Sequence, residues 1–117
     1  MTERREPPRN RNGQTYEIKV ADATVYVSTG EYEDGTLAEV FFTISKRGST
    51  LQGLARWLGI TLSLALQHGI PLEHLASVPM SDLDFEPNGR TNDPEIGEVK
   101  SLAEAIFVRL LLDYGAE

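Results

Sequence analysis

No cysteine occurs in the 117 residues. That absence excludes disulfides, thiolate metal sites, cysteine nucleophiles and dithiol redox chemistry. Histidine is nearly absent too: only His68 and His74 are present. A spacing of six residues with no third ligand nearby does not make a metal centre, and it supports no Ser/His/Asp arrangement. No catalytic residue, metal or cofactor is therefore expected. Long hydrophobic runs are missing as well. The longest apolar stretch is broken by Arg56, Gln67 and His68, so no membrane-spanning segment is expected. The start is charged and Pro-rich with no apolar core, so no signal peptide is expected, and a cytoplasmic location follows as the expectation. Basic charge is in short supply: 11 Lys+Arg face 18 Asp+Glu, for a net charge of -7.

What is present is ordinary for a small globular protein, with 40% hydrophobic and 25% charged residues. A chain of this length forms one domain, with or without a tail. Residues 1–13 read as that tail, flexible and basic, because they contain no large apolar residue after Met1. Arg4, Arg5, Arg9 and Arg11 against Glu3 and Glu6 give the tail +2, and seven basic against sixteen acidic residues give the body -9. The tail is read as a solvated linker or as a segment folded onto its own acidic body. Four arginines are too few to argue for nucleic-acid binding. Residues 14–117 form the domain proper.

Two runs of alternating residues follow, Tyr16/Ile18/Val20 and Val25/Val27, with Ala21-Asp22-Ala23 as a hairpin turn between them. Glu31-Tyr32-Glu33-Asp34-Gly35 reads as an acidic turn, and Glu39 to Ser45 as a third strand. At Lys46 the period changes. Ser49 or Thr50 is expected to cap a helix whose stripe is Leu51, Leu54, Ala55, Leu58, Leu62, Ala65 and Leu66, ending at Gly69. Trp57, Ile60 and Leu64 extend its apolar surface nearly round the cylinder. Such a helix is expected inside the domain or at a subunit interface. Pro71 opens a short helix from Leu72 to about Val78, ended by Pro79. Asp93-Pro94 reads as N-cap and first residue of a last helix with the stripe Val99, Leu102, Ala103, Ile106, Phe107, Leu110 and Tyr114. The expectation is an α+β fold, a small antiparallel three-stranded sheet packed against two long helices in a two-layer sandwich.

Two constellations could carry chemistry. Lys46-Arg47-Gly48-Ser49-Thr50 lies at a strand-to-helix junction, where Gly48, free helix amides, two hydroxyls and two cations suit a phosphate. It lacks the full P-loop pattern, and a plain capped helix explains it as well. The carboxylates Asp82, Asp84, Glu86, Asp93, Glu95 and Glu98 could hold a divalent ion or serve acid/base work. Most of them are explained as turn or cap residues.

Several runs resemble one family: Tyr26 to Gly35, Lys46 to Leu54, Leu66 to Glu73, Phe85 to Gly89 with Pro94-Glu95-Ile96, and Ile106 to Leu110. The Arg-Arg-x-x-Pro pattern starting at Arg4 fits as well. In order, and over nearly the whole chain, these resemble the TSCPD-type C-terminal domain of adenosylcobalamin-dependent (class II) ribonucleotide reductases. The resemblance implies an accessory or regulatory role in deoxyribonucleotide synthesis, with a ribonucleotide reductase catalytic chain as partner. It also makes nucleotide binding through Lys46, Arg47, Gly48, Ser49 and Thr50 an expectation, with Arg90 and Thr91 as looser candidates. The family name comes from Thr-Ser-Cys-Pro-Asp. Here the aligned residues are Thr91-Asn92-Asp93-Pro94-Glu95, so no thiol or metal role carries over at Asp93. Two further readings stand beside this one. The chain could be a free-standing nucleotide- or cyclic-nucleotide-binding homo-oligomer, a sensor or sponge with pockets between subunits. Or it could be a small hydrolase using the Asp82–Glu98 carboxylates with a divalent ion.

Overall fold

The computed structural model describes residues 3–45 and 48–116. The chain runs β1(Thr15–Val20), β2(Ala23–Glu31), β3(Leu37–Ile44), α1(Ser49–Gln67), α2(Leu72–Ser81), β4(Gly89–Arg90), β5(Glu98–Val99) and α3(Leu102–Tyr114). The first three strands form an antiparallel meander in the order β1-β2-β3, as the alternating pattern requires. Cross-strand rows such as Ile18–Val25–Ile44 place the even-numbered β1 residues and their partners on one face. Ile18, Val20, Val25, Val27 and Val40 are wholly or almost wholly buried there, while Glu17, Lys19, Tyr26, Phe41 and Thr43 face outward. The inner face meets Ile106, Phe107 and Leu110 of α3, Leu72 and Ala76 of α2, and Ala55 and Leu62 of α1 in one hydrophobic cluster. This is the expected α+β fold.

The two outer strands of the sheet are each finished by side chains. The free edge of β3 is covered by α1. Ser63 Oγ accepts from Val40 N and donates to Val40 O, both at 2.9 Å, and Gln67 Nε2 donates to Ala38 O at 3.1 Å. Gln52 Nε2 donates to Ile44 O. Gly59 sits between these polar residues, where a Cβ would come within 3.2 Å of Val40 O. On the opposite edge, Asn92 clamps β1. Its Oδ1 accepts from Lys19 N at 2.9 Å, its backbone N donates to Lys19 O at 3.1 Å, and its Nδ2 donates to Glu17 O at 3.0 Å. Exposed strand edges invite pairing with other chains, and part of each is occupied here.

Several helix boundaries differ from the sequence expectation. The N-cap of α1 is Gly48, with extended backbone and no side-chain cap, so Ser49 and Thr50 are already in the first turn. The expected stripe of α1 is also rotated. Its buried residues are Ala55, Gly59, Leu62, Ser63 and Gln67, while Leu51, Leu54 and Leu58 are exposed. Hydrogen bonding to the β3 edge draws the polar side chains inward and turns the leucines out. Gly69 ends the helix in the left-handed region at φ 91°, as expected. In α2, Pro79 lies inside the helix rather than ending it, and the helix continues to Ser81. Asp93-Pro94 does not begin α3. Asp93 accepts from the backbone N of Glu95, Ile96 and Gly97, a single turn that stops where Gly97 adopts φ 74°. Glu98 and Val99 then form β5, and α3 starts after Ser101, whose Oγ accepts from Glu104 N at 3.0 Å.

Residues 3–13 have no regular secondary structure and are mostly exposed, with contacts to the body at Arg5 and Arg11. Arg5 N donates to Gln67 O at 2.8 Å, and the Arg5 guanidinium stacks 3.8 Å over the Tyr32 ring. The Tyr32 hydroxyl donates to Arg5 O at 2.6 Å. Arg11 pairs with the buried carboxylate of Glu39. A carboxylate so far out of water needs that partner.

Candidate functional site

Three regions gather polar or ligand-sized features. The first is a cavity of about 460 Å³ between the β1–β2 turn, the end of β3, the start of α1 and the 85–88 loop. Ala21, Ala23, Ile44, Leu51 and Leu102 form its apolar walls. Phe85, 44% exposed, offers a ring face, Asn88 an amide, and Asp22 and Glu86 carboxylates at the rim. An apolar pocket with a few convergent polar groups is the usual form of a small-molecule site. Because Leu51 belongs to the first turn of α1, the cavity opens beside that helix's N-terminus, where no acidic residue and no side-chain cap offset the positive end of the dipole.

Gly48, Ser49 and Thr50 of the expected phosphate group are exposed at this helix start, although they do not line the cavity themselves. Lys46 and Arg47, the two cations of that group, lie outside the described residues. The looser candidates are further removed from it. Arg90 is an exposed β4 residue whose Nη2 lies 3.4 Å from Glu98 Oε1. The buried Thr91 hydroxyl lies 3.1 Å from Asp93 O and 2.9 Å from Gly97 O. Neither lines the cavity. Phe85 and Asn88, which do, escaped the sequence reading as site residues. The signal available for them was one aromatic in an otherwise acidic, irregular loop.

The second region is built around Arg109. Its guanidinium, only 12% exposed, meets Asp93 at 2.7 Å, Asp113 at 2.9 Å and Glu95 at 3.2 Å. Burial works against its charge, but the hydrogen bonds to the three carboxylates outweigh burial and raise its pKa further. For Asp93, burial pushes the carboxyl up, while the Arg109 hydrogen bond and the Glu95 backbone N–H outweigh it and hold the group below the ordinary range. Tyr16 donates its hydroxyl to Asp113, and burial first, then that bond, push the phenol well above its usual range. The Thr91–Glu95 stretch thus ties the connection between α2 and α3 to β1 through Asn92 and to α3 through Asp93. These carboxylates are committed to a cation of the fold. Among the described residues, no three His, Asp or Glu side chains converge on a point that could hold a metal ion. Asp82, Asp84 and Glu86 are exposed along their loop.

The third region is the outer face of α1, where Leu54, Trp57, Leu58 and Thr61 line a shallow hollow of about 330 Å³. Among the described residues, no helix is long and apolar enough to cross a membrane.

A meander with one buried face, helices closing that face and a cavity at a helix start define a small α+β domain. The chain belongs to the TSCPD domain family, whose profile matches residues 1–114 and so takes in the tail as well as the body. Its relatives include vitamin B12-dependent ribonucleotide reductases. That of Streptomyces clavuligerus is 40% identical over 111 residues, covering 95% of this chain and 11% of the relative. That of Rhodopirellula baltica is 36% identical over 99 residues, covering 85% of this chain and 9% of the relative. That of Bradyrhizobium diazoefficiens is 35% identical over 116 residues, covering 97% and 9%. The chain is therefore homologous to one domain of these enzymes and spans about a tenth of their length. No solved structure matches it.

Proposed function

We propose that the chain acts as an accessory domain in ribonucleotide reduction, by contact with a ribonucleotide reductase catalytic chain in the cytoplasm and by binding a nucleotide. Membership of the TSCPD family carries the first half. The second half rests on the cavity beside the start of α1. A base would stack on Phe85 and use the Asn88 amide, with the ribose against Leu51 and Leu102. The phosphates would reach the amides and hydroxyls of Gly48, Ser49 and Thr50 and the charges of Lys46 and Arg47. The acidic rim at Asp22 and Glu86 would favour the amino edge of a base over a second phosphate at that end.

Isothermal titration against nucleoside triphosphates, deoxynucleoside triphosphates and cyclic nucleotides tests the binding half. Heat is expected with one class, weakened about fivefold or more by Phe85→Ala, since base stacking is worth roughly 1–3 kcal/mol, and weakened as well by Lys46→Ala. No heat with any of them leaves protein contact alone. A second reading, a free-standing nucleotide-binding oligomer that acts as sensor or sponge, draws on the uncovered apolar face of α1. Tight nucleotide binding by the isolated chain, unchanged when a reductase catalytic chain is added, selects that reading over the first.

A further inference from the structure

The outer face of α1 is the least expected surface of the molecule. The helix has 19 residues and one charged side chain, Arg56, in a protein of net charge -7. Leu54, Trp57, Thr61 and Leu64 recur at spacings of three and four along this face, flanked by Leu51, Leu58 and Ala65. That is the seam of a helix packed against another helix. Yet Leu54 is 50% and Trp57 67% exposed. The exposed fractions of the six large apolar side chains on α1 correspond to roughly 500 Å², the size of the largest apolar patch on a typical monomer.

We propose that this face is the contact surface for a second copy of the same chain, with two α1 helices packed antiparallel about a two-fold axis. Three observations select a second copy as the occupant. First, a two-fold contact sets each patch against itself, so a charged patch would meet its own sign. The seam positions of α1 carry no charge, although the rest of the acidic chain repels its copies. Second, the patch from two copies amounts to about 1,000 Å² of buried area, the lower limit for a specific interface. The dimer is therefore expected to form reversibly and to come apart on dilution. Third, strand addition is hindered on both sides, because Gln52, Ser63 and Gln67 hold Ile44 O, Val40 N and O and Ala38 O of the β3 edge, and Asn92 holds the Glu17–Lys19 part of the β1 edge. The hollow between Leu54, Trp57, Leu58 and Thr61 sets the register. Antiparallel helices bring Trp57 of one copy over the small Thr61 of the other, and Leu54 over Leu64, so that large meets small across the centre.

Trp57 is the only tryptophan, so the contact reports on itself. Sedimentation of the full chain is expected to give twice the 13.0 kDa chain mass at high concentration. On dilution, the mass is expected to fall by half while Trp57 emission shifts to the red in step. Trp57→Glu and Thr61→Arg are expected to give monomers with unchanged circular dichroism. Leu112→Glu, on the exposed side of α3, is expected to leave the dimer intact. A single-chain mass at every concentration, with water-exposed tryptophan emission throughout, overturns the proposal. So does a dimer that survives both α1 substitutions, which puts the contact on another surface. Trp57 emission that becomes shielded only when a reductase catalytic chain is added also overturns it and assigns the face to that larger partner.

Discussion

Helices α1 and α3 read alike in sequence and are used in opposite ways. Both carry apolar residues at helical spacing, and both touch the same hydrophobic cluster. In α3 the stripe does what the pattern says: Ile106, Phe107 and Leu110 are buried against the sheet, and the polar side presents Glu104, Arg109 and Asp113. In α1 the polar Ser63 and Gln67 face the protein beside Ala55 and Leu62, while Leu51, Leu54, Leu58 and Leu64 face out. The difference lies in what each helix covers. α3 lies over side chains, where apolar area removed from water decides the orientation. α1 lies along a strand edge, where unpaired backbone groups would otherwise be buried without partners, and a hydroxyl and two carboxamides supply them. The comparison teaches that a helix seals a sheet edge with its hydrogen-bonding residues, and that its apolar face is then left over for something else.

The largest test of this contrast is truncation on α3. Phe107→Ala is expected to cost about 4 kcal/mol in urea denaturation, because it leaves a cavity under the sheet. Leu54→Ala on α1, measured in the monomeric Trp57→Glu background, is expected to change stability by no more than about 0.5 kcal/mol. Equal losses would break the comparison. Next in size is Ser63→Ala, which removes the hydroxyl and strands both Val40 N and Val40 O. A loss of about 2 kcal/mol is expected, and a gain would show that α1 does not seal the edge through Ser63.

On the polar side of α3 the sharper probe is pH. The Asp93 carboxyl is held below its ordinary range when folded, so its contribution is present above the unfolded pKa of about 3.9 and is lost as pH falls through the lower folded value. Asp93→Asn is expected to lower stability at neutral pH by about 1–2 kcal/mol and to flatten the acid limb below about pH 4. An acid limb unchanged by Asp93→Asn would detach Asp93 from the Arg109 cluster. Smallest of all is Leu64→Gln in the same monomeric background, expected within about 0.5 kcal/mol of neutral and with raised solubility.

The meander was legible in the sequence because period-two alternation and turn residues such as Asp34-Gly35 have few other readings. The stripe of α3 was legible for the same kind of reason, but its start was not. Asp93-Pro94 does cap a turn, as such a pair should, and Gly97 stops that turn before a helix can follow. A cap and a stop four residues apart look, in one dimension, like a cap with a helix after it. The orientation of α1 was hidden more deeply. Leu51, Leu54 and Leu58 form as good a stripe as Ala55, Leu62 and Leu66, and only the position of the β3 edge decides between them. The candidate site was less legible: Gly48-Ser49-Thr50 mark the start of α1 beside the cavity without lining it, while Phe85 and Asn88 reach the cavity from a loop that carries no periodic signal.

The sealing of both sheet edges has a consequence for the history of the domain. A three-stranded sheet finished by Asn92 on one side and by Gln52, Ser63 and Gln67 on the other needs no strand from a neighbouring part of the polypeptide. Such a unit is portable. It can sit within a longer polypeptide or stand apart with the same hydrogen bonds in place. A fusion or fission event then has only a linker to make or lose.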